Sequence, residues 1–164
     1  MKHVLCFLLT FTSFYALAND VENLIEHRLN LCVDVAHYKI LHRLPITNVN
    51  QEKKVLAAAQ KKAMVYHLNS ESVLAFTQQL ILSCKQIQKQ EMSKNEKPQT
   101  VKSLDKVRQE LNSINQQIFI NLSNNRSQYK KDWPQHIKNQ LSALGISQAQ
   151  LDTLLTSLNS LREK

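Results

Sequence analysis

Arg28, Cys32, Val35 and Lys39 stand at i, i+4, i+7 and i+11, which is one stripe at the helical repeat. Two cations therefore share a face with apolar residues. That arrangement suits an anionic ligand, or a negative charge that develops during a reaction. It also arises when long basic side chains run along a core face and bring their heads out to solvent or to a carboxylate, so the spacing alone leaves both readings open. Farther along, Cys84 and Gln88 are one turn apart beside Leu80 and Ile81, where a lone glutamine is ordinarily an exposed polar residue. The six histidines have no HExxH spacing, and the chain has neither CxxC nor a Gly-rich phosphate loop. Most cofactor chemistries drop out on that ground. What remains is polar groups projecting from helix faces toward a common interior.

The elements that must position these groups are helices. The chain of 164 residues has one glycine and three prolines, and its wealth of Leu, Ala, Gln, Lys and Glu favours helix over strand. An all-α bundle of about six helices is expected. Asn19-Asp20-Val21-Glu22 has capping-box spacing, so the first helix is placed from Asn19 to about Arg43, with Pro45 ending it. A loop from Ile46 to Asn50 leads to a second helix over Glu52 to about His67, and Asn69 or Ser70 caps a third that reaches about Met92. Residues 93–100 are polar, contain Pro98 and have no apolar period; they read as the linker between helices 19–92 and helices 101–164, which complete the bundle. Leu104, Val107, Leu111, Ile114, Ile118 and Leu122 describe a long fourth helix. Gly145 stops a fifth, and Ser147 to Gln150 has capping-box form for a sixth. The sequons at Asn121 and Asn125, the lone Trp133 and residues 129–131 carry no function of their own in this reading.

Residues 1–18 join a basic start at Lys2 to an apolar run and a small-x-small ending, Ala16-Leu17-Ala18. This is the pattern of a secretory signal cleaved after Ala18. Cys6 lies within it and not just after the cleavage site, so a lipid anchor is not indicated, and no later stretch has the roughly 20 apolar residues of a membrane span. A periplasmic or secreted product without a membrane partner is expected. The formal charge is +8, or +7 once Lys2 leaves with the signal. That balance suits anionic ligands, nucleic acid or membrane surfaces, but also a plain solvated helical surface. Cys32 and Cys84 remain, in a compartment that permits disulfides.

The run from Arg28 to Lys39 (RLNLCVDVAHYK), then Leu44-Pro45-Ile46, then Val55-Leu56-Ala57-Ala58-Ala59, and Lys85-Gln86-Ile87-Gln88 on the third helix, resemble the chorismate mutase domain of the AroQ class, above all its secreted gamma forms. The resemblance covers residues 19 to about 90 and implies the chorismate mutase type II helical fold. It implies a Claisen rearrangement of chorismate to prephenate, shikimate-pathway chemistry without cofactor or metal. Arg28 would hold a substrate carboxylate, Lys39 and Gln88 would donate to the ether oxygen, and Glu52 would accept from the ring hydroxyl. The family's second-helix arginine falls at Gln51, a neutral amide with Lys53 and Lys54 nearby, which is expected to weaken affinity. Its small-hydroxyl position falls at Cys84, and a fourth-helix arginine of some members falls at Gln117. The resemblance also implies a homodimer acting on a small molecule and not on nucleic acid. It turns Cys32 and Cys84 toward the cavity, where free thiols and a disulfide both remain open. A degenerate anion binder and a secreted helical interaction protein are the alternatives.

Overall fold

A short polar side chain precedes most of the helices. The computed structural model describes residues 21–94, 96–124 and 135–161, which form six helices: α1 (Val21–Leu41), α2 (Val49–Val65), α3 (Ser70–Ser93), α4 (Leu104–Asn124), α5 (Gln135–Ala143) and α6 (Gln148–Ser160). The expected all-α bundle is what the chain forms. The signal segment, the Asn19 cap, the Asn125 sequon, residues 129–131 and Trp133 lie outside the described residues. Asn48 accepts from Gln51 N at 3.0 Å, Asn69 from Ser72 N at 2.8 Å and Ser147 from Gln150 N at 3.3 Å. Each satisfies one of the amides that a helix start leaves without an internal partner. The second helix thus begins at Val49, before the expected Glu52, because Asn48 and not a later residue is its cap.

Three helices close in the same way. Leu44 N bonds Lys39 O at 2.8 Å, Leu68 N bonds Ala63 O at 2.9 Å and Ile146 N bonds Leu141 O at 3.4 Å. These are six-to-one closures, with Arg43 at φ 52°, His67 at φ 52° and Gly145 at φ 88° in the left-handed position. Pro45 does not end α1: the turn at Arg43 does so first.

α1 lies along α3 and α4, α2 packs on α3 and α4, α6 covers α3, and α5 bridges α1 and α6. The buried side chains at these seams include Ile25 and Leu29 of α1, Phe76, Leu80 and Ile87 of α3, and Ile118 and Leu122 of α4. Each contributes about 1.5–3 kcal/mol by leaving water. The segment between α3 and α4 is pinned to α1 at both ends. Glu91, beside Lys94 at 2.6 Å, meets His37 at 3.5 Å, and Lys102 meets Asp34 at 2.9 Å. Ser147-Gln150 is not a closed capping box. The Gln150 amide instead donates to Gln79 and Ser83 of α3, and Gln86 of α3 accepts from Ser147 N at 3.0 Å. The polar reciprocity of the box is spent on fastening α6 to α3.

Candidate active site

The stripe of α1 meets the faces of three other helices in a cavity of about 180 Å³. Arg28, Val35 and Lys39 come from α1, Gln51, Glu52 and Val55 from α2, Ile81, Cys84, Lys85 and Gln88 from α3, and Leu104, Arg108 and Leu111 from α4. Leu44, Pro45 and Ile46 form a wall from the α1–α2 loop. Ligand pockets commonly run to roughly 300–1,000 Å³, so this one suits a small, compact ligand. Its charged lining consists of four cations, Arg28, Lys39, Lys85 and Arg108, and one carboxylate, Glu52. The excess suits an anion with more than one negative group.

Arg28 is 4% exposed, and no carboxylate among the described residues pairs with it. Its Nε donates to Asn115 Oδ1 at 2.8 Å and its Nη1 to the Leu80 carbonyl at 3.4 Å. Burial pulls its pKa down from the ordinary arginine value to about 10, which leaves it cationic at neutral pH. Two neutral partners fix the guanidinium without cancelling its charge, so its remaining N–H groups and its field are available to a ligand. Lys39 is also buried and donates to the Ile46 carbonyl. Burial lowers its pKa from the ordinary lysine value, Glu52 opposes that, and Arg108 and Lys85 reinforce it. Lys39 thus feels the like charge of Arg108 and Lys85 across the cavity.

Gln88 is buried; its Nε2 donates to the Cys84 carbonyl at 3.2 Å and lies 3.3 Å from Cys84 Sγ. An amide nitrogen has two hydrogens, and sulfur is a weak acceptor, so the second can turn from Cys84 Sγ to a ligand oxygen. The contact to the carbonyl fixes which end of the amide is nitrogen, because an oxygen there would face another oxygen. Cys84 is joined to Cys32 in a disulfide with Cα atoms 5.4 Å apart, tying α3 to α1. Of the two cysteine states left open by the sequence, the disulfide is the one formed. Cys84 therefore has no S–H to donate to a ligand and enters the wall as an apolar bridge. Glu52 is held by Lys85, whose Nζ lies 2.8 Å from Oε1 and 2.9 Å from Oε2.

Gln51 lines the cavity, whereas Lys53 and Lys54 are exposed and do not. Gln117 is misplaced by the sequence reading. It is exposed and donates to Ser113 at 3.5 Å, because nine residues beyond Arg108 is about two and a half turns, the opposite side of α4. The α4 cation in the cavity is Arg108. Its signal was present in the sequence: Leu104, Arg108, Leu111 and Asn115 repeat the i, i+4, i+7, i+11 spacing that marks Arg28 to Lys39.

Residues 17–89 match the model of the chorismate mutase type II family. The fold is similar to that of a secreted chorismate mutase from Yersinia pestis, with 27% identity and a TM-score of 0.76, covering 85% of this chain and 94% of that one. Residues 17–89 carry a chorismate mutase type II domain. A chorismate mutase from Burkholderia thailandensis shares the fold at 20% identity, with a TM-score of 0.63 over 88% of this chain and 98% of that one. The family match includes every lining residue from Arg28 to Gln88 and stops before α4. The α4 wall, with Arg108, lies beyond the residues that the family model matches.

Proposed function

We propose that this chain is an exported chorismate mutase of the gamma type, which rearranges chorismate to prephenate in the cavity between α1, α2, α3 and α4. The observation that carries this reading is that Lys39 and Gln88, both buried, line one cavity together with four cations in all and a single carboxylate. The rearrangement breaks the ether C–O bond as a new C–C bond forms within the same molecule. It needs no proton transfer and no nucleophile. The protein must hold a dianion in its folded, reactive shape and meet the negative charge that gathers on the ether oxygen. Arg28 and Arg108 are the fork-shaped cations suited to the two carboxylates. Lys39 and the second Gln88 N–H are the donors for the ether oxygen, and Glu52 is the acceptor for the ring hydroxyl. The Cys32–Cys84 bridge supports export, since such bonds persist in oxidising compartments. Among the described residues no helix is long and apolar enough to cross a membrane.

Purified residues 19–164 should consume chorismate and release prephenate, followed by loss of chorismate absorbance. Binding of chorismate without turnover would instead identify a degenerate anion binder, and neither would leave the family without its activity in this chain.

The amide at position 88 sets a pH expectation. Arg28, lowered only to about 10, stays charged well past neutrality and Gln88 needs no proton. The rate should be flat from about pH 5 to 8. It should fall on the alkaline side as Lys39, lowered by burial, gives up its proton. In Gln88→Glu the new carboxyl would be buried against the Cys84 carbonyl, and both features favour its protonated form. Protonated, it donates; ionised, it places negative charge beside an oxygen gaining more. Initial rates across that range should therefore show a variant that fades as pH rises beside a flat wild type. A variant with no new pH dependence would remove Gln88 from the ether oxygen.

A further inference from the structure

Glu52 is the one carboxylate in a cavity read here as receiving a dianion, and it would repel that ligand if left bare. Lys85 prevents this: its Nζ lies within 2.9 Å of both Glu52 oxygens, and both side chains line the cavity and are about a quarter exposed. An ammonium has three hydrogens. Two directed at Glu52 leave a third for the cavity, and the tethering keeps the flexible four-carbon stem on station. The other cations are partly engaged elsewhere, Arg28 with Asn115 and Leu80, Lys39 with Ile46. On α2 the lining residues are Gln51, Glu52 and Val55, none of them a cation. We propose that Lys85 is a substrate-binding residue, which neutralises Glu52 and gives its free N–H to a substrate carboxylate on the side of the cavity where α2 lacks a cation. The inference rests on the chorismate mutase reading.

An ion pair that merely joins α2 to α3 would have the same geometry, so the test removes the pair first. In the Glu52→Gln background there is no carboxylate to neutralise and no ion pair to break. Adding Lys85→Met to that background isolates direct contact with the ligand. Prephenate, a dianion that needs no turnover, is titrated calorimetrically into wild type, Glu52→Gln and the double variant, with circular dichroism as the check on folding. Lys85→Gln replaces Lys85→Met if the latter does not fold. Loss of a charge-assisted bond should weaken prephenate binding by about 10-fold or more between Glu52→Gln and the double variant. A weakening under about threefold, below the range of such bonds, makes Lys85 a tie between helices and overturns the proposal. Failure of the parent reading looks different: wild type itself would neither turn over chorismate nor bind prephenate.

Discussion

Replacing Lys39 by alanine should lower turnover of chorismate by about 10²-fold to 10³-fold, the loss of roughly 3–4 kcal/mol of transition-state stabilisation, while the helical circular dichroism is kept. The argument starts from burial. Lys39 is 9% exposed and its charge is penalised where it stands, which is why its pKa lies below 10.5. A cation already stripped of water needs no further desolvation when the ether oxygen gains charge, so its interaction is concentrated in the transition state. The same burial makes Lys39 a burden in the resting protein. Lys39→Met, of similar shape and without charge, should lose activity like the alanine variant and melt at the same temperature or higher. The sign of the pH effect agrees. With the folded pKa below that of the unfolded chain, the unfolded chain binds the proton more tightly in the window between them. This group's contribution to stability therefore rises as pH climbs through that window, just where activity falls. An alanine variant with nearly full turnover would move the ether oxygen away from Lys39.

The cavity was legible on α1 because a helix of 21 residues repeats its face regularly, and Arg28 and Lys39 interrupt an apolar stripe. Arg108 interrupts the α4 stripe in the same way, yet the resemblance drew attention to Gln117, and periodicity then places Gln117 on the other side. Helix starts were readable at Asn69 and Ser147, whose side chains do the capping locally. Helix ends were not. Gly145 announces its left-handed turn, but Arg43 and His67 adopt the same conformation at a cost of about 1–2 kcal/mol each, and neither residue type signals it. Tertiary contacts supply what local sequence lacks there: Leu68 is buried, and Leu44 and Ile46 build the cavity wall. Gln150 shows the same limit from the other side. Its spacing from Ser147 is that of a capping box, and the neighbouring α3 offers its amide better partners.

Whether Cys32 and Cys84 meet depends on how α1 and α3 pack, which no spacing within either helix records. Their bond gives the second large expected effect. They are 52 residues apart, and closing a loop of that length removes about 4 kcal/mol of freedom from the unfolded chain in the entropy model. Reduction, or the pair Cys32→Ala and Cys84→Ala, should lower the melting temperature by roughly 10 °C for a chain of this size. Activity should respond less. Cys84 meets Gln88 within 3.3 Å, and Cys32 stands one turn from Arg28, but Gln88 keeps its bond to the Cys84 carbonyl and Arg28 its bonds to Asn115 and Leu80. Those anchors do not pass through sulfur. Melts of the wild type with and without reductant, beside the double variant, separate the two contributions: reductant should shift only the wild type. Titration of two free thiols in the denatured, unreduced protein, or a wild-type melt indifferent to reductant, would show that the helices are held together by packing alone.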